Sequence, residues 1–75
     1  MAEAILNWDT IVHKNVRSKD MYDVGNVIQI TDADIVIMQG ASRQYKVPKG
    51  YVEGFNGSEV YLDLTFRELL NYKVA

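Results

Sequence analysis

The sequence predicts a mainly β domain of five to six antiparallel strands followed by one short C-terminal α-helix. Three observations carry that prediction. Apolar and polar residues alternate in short runs, most clearly over Arg43–Val47 and Glu59–Leu64. Turn-forming residues separate the runs at close spacing, as at Gly40-Ala41-Ser42 and Asn56-Gly57. A helical period follows Thr65. There Thr65-Phe66-Arg67-Glu68 has the form of a capping box, and Phe66, Leu69 and Leu70 make one apolar stripe.

Each element can be justified in turn. Residues 1–7 are small and weakly apolar, and are expected to be flexible. The domain proper is expected over residues 8–75, opening at Trp8. Asp9 is placed to cap a single turn through Val12, with Ile11 and Val12 inward. A first strand runs from about Asn15 to Ser18. Ser18-Lys19-Asp20 begins a polar corner, and Tyr22-Asp23-Val24-Gly25 returns the chain. Gly25 marks a bulge or a close backbone approach where the second strand starts. That strand, Gly25–Thr31, has Val27 out of phase with Ile28 and Ile30. A bulge after Val27 brings Val27 and Ile30 to the same side.

Asp32-Ala33-Asp34 turns into a third strand, Ile35–Gln39. Its Ile35 and Ile37 share one face, Val36 and Met38 the other, and both faces are apolar. The fourth strand, Arg43–Val47, stops at Pro48, which has no N–H to donate. Beyond the Pro48–Tyr51 corner comes a hairpin about Asn56-Gly57. A three-residue loop, Phe55-Asn56-Gly57, would pair Val52 with Val60 and place Gly57 in the left-handed position. The last strand turns Val60, Leu62 and Leu64 inward and Tyr61 and Asp63 outward. The helix starts at Thr65 and ends near Tyr72. The expected core is Ile30, Ile35, Ile37, Val47, Val60, Leu62 and Leu69.

A chain of 75 residues makes one small domain with a thin stability margin. It has no cysteine and one histidine, which excludes disulfides, thiolate metal sites and multi-histidine metal sites. A net charge of −2 gives no global attraction to nucleic acid. No apolar run reaches the roughly 18 residues of a membrane span. The first residues lack a basic segment and a long apolar segment, so no signal peptide is expected and the cytoplasm is the expected location.

Placed in this order, the strands and corners resemble the PRC-barrel family. Lys14-Asn15-Val16-Arg17-Ser18-Lys19-Asp20 followed by Val24-Gly25-Asn26-Val27 is similar to the family's opening G-K-x-V-x-S-x-D … G-x-V. Val47-Pro48-Lys49, with Val52-Glu53 beyond, is similar to its I-P-x-x-x-V corner. The stretch from Gly57 through Val60, Leu62, Leu64 and Thr65 to Glu68-Leu69 resembles the closing strand and helix. The likeness spans about Ile11 to Leu70. Many members carry Asp-Gly at the first corner, where this chain has Asp20-Met21, so a wider corner or a packed Met21 is expected. The resemblance implies a small antiparallel PRC-barrel-like β-barrel that acts as an adaptor. Similar domains occur in the H subunit of photosynthetic reaction centres and in a bacterial ribosome-maturation factor. It implies no catalytic residue.

The residues themselves offer little catalytic chemistry. His13 has Asp9 four residues before it but no nucleophile at a recognisable spacing, and reads as a surface histidine. Asp20, Asp23, Asp32 and Asp34 fall in turns, which they favour. Asp32-Ala33-Asp34 lacks the 12-residue pattern of a calcium loop. Lys14, Arg17 and Lys19, with Arg43 and Lys46, form a candidate basic patch for RNA, interleaved with acids. Ile28, Val36 and Met38 fall opposite the presumed core, and Tyr61 adds an outward aromatic. Either the C-terminal helix covers this set or it is a subunit interface. The expected function is a non-enzymatic adaptor that binds a protein partner, as a homodimer, with no metal or cofactor. The alternative is an RNA- or ribosome-associated accessory module.

Overall fold

The computed structural model describes residues 7–74. Of the expected flexible segment, residues 1–6 lie outside this range. The described chain is mainly β, with six strands and one short C-terminal helix. The strands are β1 (Asn15–Arg17), β2 (Asp23–Ile30), β3 (Asp34–Gln39), β4 (Arg43–Pro48), β5 (Val52–Phe55) and β6 (Glu59–Leu62). They form one sheet in the order β4-β3-β2-β1-β6-β5. The helix α1, Phe66–Leu69, runs on into a 3-10 turn over Leu70–Tyr72. Its capping box is complete: the Thr65 hydroxyl accepts the Glu68 N–H at 3.2 Å, and the Glu68 carboxylate accepts the Thr65 N–H at 3.0 Å.

The sheet is mixed, which corrects the wholly antiparallel expectation. β1 and β6 are parallel, and all other neighbours are antiparallel. The cause is a matter of parity. β4 and β5 are joined by a three-residue 3-10 turn, Lys49–Tyr51, that does not reverse the chain. The chain therefore leaves one edge of the sheet and enters the other in the same direction. One reversal is missing, and β6 must run parallel to β1.

That connection also bends the sheet. The edges of a flat six-stranded sheet lie about 24 Å apart. Four residue steps from Pro48 to Val52 reach about 14 Å at most. The sheet is therefore coiled until its edges approach at that end. It is not closed into a barrel, because β4 and β5 form no ladder. Instead the free edge of β4 is met by the chain's last turn, where Lys73 bridges Tyr45 and the Val74 N–H donates to Gln44 O at 2.9 Å.

Inside the coil lies one core. Six of the seven expected residues, Ile35, Ile37, Val47, Val60, Leu62 and Leu69, are buried in it. Ile30 is only half-buried, at the end of β2 where the sheet opens. Ile11, Val16, Val24, Val27, Tyr45 and Leu64 complete the core. The Tyr45 hydroxyl donates to Gln39 Oε1 at 2.7 Å, which satisfies its polar end.

Two irregularities keep the apolar residues in phase. In β2, Val27 pairs with Ile37 and Gln29 with Val36, so Ile28 is extruded as the bulge. In β5, a bulge at Glu53 leaves Val52 opposite Leu62 and Phe55 opposite Val60. The expected pairing of Val52 with Val60 is thus corrected. Asn56 folds its own turn, its carbonyl oxygen accepting the N–H groups of Ser58 and Glu59 at 2.9 and 2.7 Å, and this lengthens the loop. Gly57 is left-handed, with φ +97°. At the other end, Asn7 and not Asp9 caps the first turn, Trp8–Ile11, by accepting the Asp9 N–H at 3.1 Å.

Gly25 sits where β2 crosses closest to β3. Its φ is +111°, and a Cβ there would lie 2.1 Å from the Met38 carbonyl oxygen. Backbone, not a movable side chain, fills the space. Gly25→Ala is expected to lower the unfolding free energy by about 2–4 kcal/mol, strain and overpacking combined. Urea denaturation followed by circular dichroism measures it, and an unchanged midpoint would contradict the close approach.

Candidate functional site

The outer face of the sheet contains three of the four residues expected at an interface. Ile35 and Ile37 point into the core, so Val36 and Met38 face outward from β3. Ile28, thrown out by the β2 bulge, is 37% exposed beside them. Polar residues border the group: Val36 lies between Gln29 and Lys46, and Met38 between Asn26 and Gln44. Tyr61 is not part of this group. It lies on β6 opposite Arg17, with β2 and β1 intervening between it and β3. Its hydroxyl accepts from Asn56 Nδ2 at 2.9 Å.

The C-terminal helix leaves that outer group uncovered. Leu69 is buried in the cluster that contains Ile35 and Tyr45, and Phe66 and Tyr72 pack against it. Of the expected stripe, Leu69 and Phe66 thus face the core, while Leu70 is 44% exposed.

The five basic side chains do not form one patch. Arg17 Nε contacts Glu59 Oε2 at 2.6 Å, and Lys19 and Lys46 lie 3.5 and 3.9 Å from Asp63 and Asp34. β1, which bears Arg17, and β4, which bears Arg43 and Lys46, are separated by two strands. Lys14 precedes β1. Lys19 stands in the corner rather than on a strand face, because β1 ends at Arg17. His13 is exposed, and its N–H donates to Val27 O at 2.6 Å from a left-handed backbone, φ +69°. Among the described residues no helix is long and apolar enough to cross a membrane.

The first corner, Ser18–Tyr22, gathers more chemistry than the sequence suggested. Ser18 is 1% exposed and uses every polar group it has. Its N–H donates to Tyr22 O at 3.0 Å, and its carbonyl accepts from Met21 N at 2.9 Å. Its hydroxyl accepts the Tyr22 N–H at 3.1 Å and donates to Asp20 Oδ1. Asp20 Oδ1 also accepts the Phe66 N–H at 3.1 Å, the first amide of α1. The Lys19 N–H donates to Leu64 O at 2.7 Å. The corner is thereby fastened to the start of the helix.

Three carboxylates here are held below the usual carboxylate range. For Asp20 the main cause is the Ser18 hydroxyl, aided by the Phe66 amide and opposed by desolvation. For Asp23 it is the Asn15 amide and then the Gly25 N–H. For Glu68 it is the Thr65 backbone and hydroxyl.

Met21 neither widens the corner nor packs. It takes the left-handed conformation, φ +69°, and is 56% exposed, in the place where glycine would be least strained. Tyr22 beside it is 61% exposed. Clefts flank the corner on both sides. One, of about 270 Å³, is lined by Lys19, Met21, Glu53 and Tyr61 among others. The other, of about 420 Å³, is lined by Asp20, Tyr22, Asp23, Gln39, Phe66 and Arg67. Sequence reading assigned Asp20 and Asp23 to turn formation, and singled out neither Tyr22 nor Phe66 as a surface group. The one available signal was the departure from Asp-Gly at Asp20-Met21.

No protein-family model, curated protein or solved structure matches the chain.

Two outcomes follow from the corner. Met21→Gly removes a left-handed side chain at the cost of some chain entropy, and is expected to stabilise the fold by about 0.5–1 kcal/mol in urea denaturation. The second concerns acid. Asp20 has a lowered pKa in the folded state, so its contribution is present above the unfolded value and is lost as pH falls through the folded one. Thermal melting from pH 7 to pH 2 is expected to show the midpoint falling below about pH 4. Asp20→Asn is expected to flatten that fall without abolishing it, since Asp23 and Glu68 shift in the same direction.

Proposed function

We propose that this chain is a non-enzymatic protein-interaction module with a PRC-barrel-like fold, and that it pairs as a homodimer. The observation that carries this reading is the outer apolar group on β2 and β3, which lies apart from the core that Leu69 and Phe66 of α1 serve. Ile28 is exposed and Val36 and Met38 are half-buried beside it, and apolar groups on a solvent face mark contact surfaces. A two-fold pairing is the commonest closed way to cover them. It also adds stability to a chain whose own core is small. The coiled sheet, whose edges are drawn together by Lys49–Tyr51, supports the PRC-barrel-like reading.

Dimerisation through this face predicts a dimer in sedimentation equilibrium at micromolar concentration. Val36→Lys is expected to weaken it at least tenfold and to make the melting temperature independent of protein concentration. A strict monomer in the unsubstituted protein would overturn the homodimer. RNA affinity falling steeply with salt would favour the RNA-associated module instead.

A further inference from the structure

We propose that the cleft beside the first corner binds the guanidinium group of an arginine side chain on a partner protein. The proposal rests on the interaction-module reading, but its site is separate from the dimer face.

Two kinds of surface meet in the cleft. Tyr22 and Phe66 supply aromatic faces, their ring centroids 5.8 Å apart and their planes tilted by 54°. Asp20 and Asp23 supply negative charge on the same wall. A cation over an aromatic face gains from the ring quadrupole, and a carboxylate at the ring's edge adds a charged hydrogen bond. The cleft, of about 420 Å³, is open to solvent and has room for a guanidinium group.

The wall is built before any ligand arrives. Asp20 takes the Ser18 hydroxyl and the Phe66 N–H on one oxygen, Oδ1. Asp23 takes Asn15 Nδ2 at 2.8 Å and the Gly25 N–H at 3.1 Å, also on Oδ1. These bonds fix both carboxylates and leave each Oδ2 outside them. Little side-chain entropy remains to be lost on binding.

Chemistry selects arginine over lysine. Guanidinium is planar and weakly hydrated, so it can stack on a ring while its edge bonds a carboxylate. Ammonium is a compact, strongly hydrated point charge with no planar face to lie flat on a ring. Arg67 also lines the cleft and works against a cation there. Against it stand two carboxylates, Asp20 and Asp23, so the lining keeps a net negative charge.

An NMR titration of the full chain with the blocked peptide acetyl-Gly-Arg-Gly-amide tests this. The expected result is saturable shifts of the Tyr22, Asp23, Phe66 and Arg67 amides at millimolar peptide. The matching citrulline peptide, neutral and of the same shape, is expected to give none. Tyr22→Ala, at an exposed position, should weaken binding about two- to fivefold with the rest of the spectrum unchanged. Arg67→Gln should tighten it about twofold. Absent saturation, an equal response to citrulline, equal affinity for the lysine peptide, or shifts confined to another face would each overturn the site. Such a failure in a chain that still sediments as a dimer would leave the interaction-module reading standing.

Discussion

The hydroxyl of Ser18 donates to Asp20, and Asp20 in turn accepts the first amide of α1. The second step of this relay spans 46 positions, and much of the structure hangs from it. Among the described residues Ser18 is the one small polar residue that is buried, and a buried hydroxyl without partners costs heavily. Its partners all come from its own corner, so the corner can keep only one shape. That shape sets where β2 begins and where Asp20 points. The helix is then held at its N-terminus by a charge from the corner between β1 and β2. From there Leu69 enters the core between the coiled strands. Four residues of α-helix would not persist alone in water; here the cap and the burial hold them.

The second constraint is the unbroken direction of β4, Lys49–Tyr51 and β5. It explains both the parallel pairing of β1 with β6 and the coil of the sheet. It also decides what lies near what on the surface. Because β6 joins the sheet on the far side of β1, Tyr61 stands beside Arg17 and Gly54 rather than beside Val36. The same placement gives Arg17 the carboxylate of Glu59 and brings Lys19 within reach of Asp63. Three of the five basic side chains expected to form a patch are thus paired with acids, and the apolar group on β3 is the more distinctive feature.

Much of the fold was legible from local chemistry. Alternation placed β4 and β6, an apolar run after the Asp32-Ala33-Asp34 turn placed β3, the capping box placed α1, and Gly25 announced its close approach through the absence of a Cβ. The bulge at Ile28 followed from Val27 being out of phase. What could not be read was what depends on strand order. No pattern within β1 or β6 distinguishes a parallel neighbour from an antiparallel one, so the separation of Tyr61 from Ile28, Val36 and Met38 was hidden. The Val52 register was missed because Asn56 uses its side chain to build a longer turn than Asn-Gly suggests. The corner cleft was missed for another reason. Methionine carries no preference for a left-handed backbone, so nothing in Asp20-Met21-Tyr22 revealed that two large side chains would be held outward beside Phe66.

The meeting of Lys73 and Val74 with β4 has a meaning beyond geometry. An open sheet offers its outermost strands as templates on which further chains can grow, and β4 is such a strand. The final turn lies across it, with the Val74 N–H occupying the Gln44 carbonyl and Lys73 bringing a charge. At the opposite margin the Glu53 bulge breaks the flatness of β5 and adds a charge of the other sign. Both margins are thus blunted, one by cover and one by distortion. A sheet that is coiled but unclosed thus offers no bare, flat margin to a further strand, and Lys73 and Val74 supply part of that cover although they contribute almost nothing to the core.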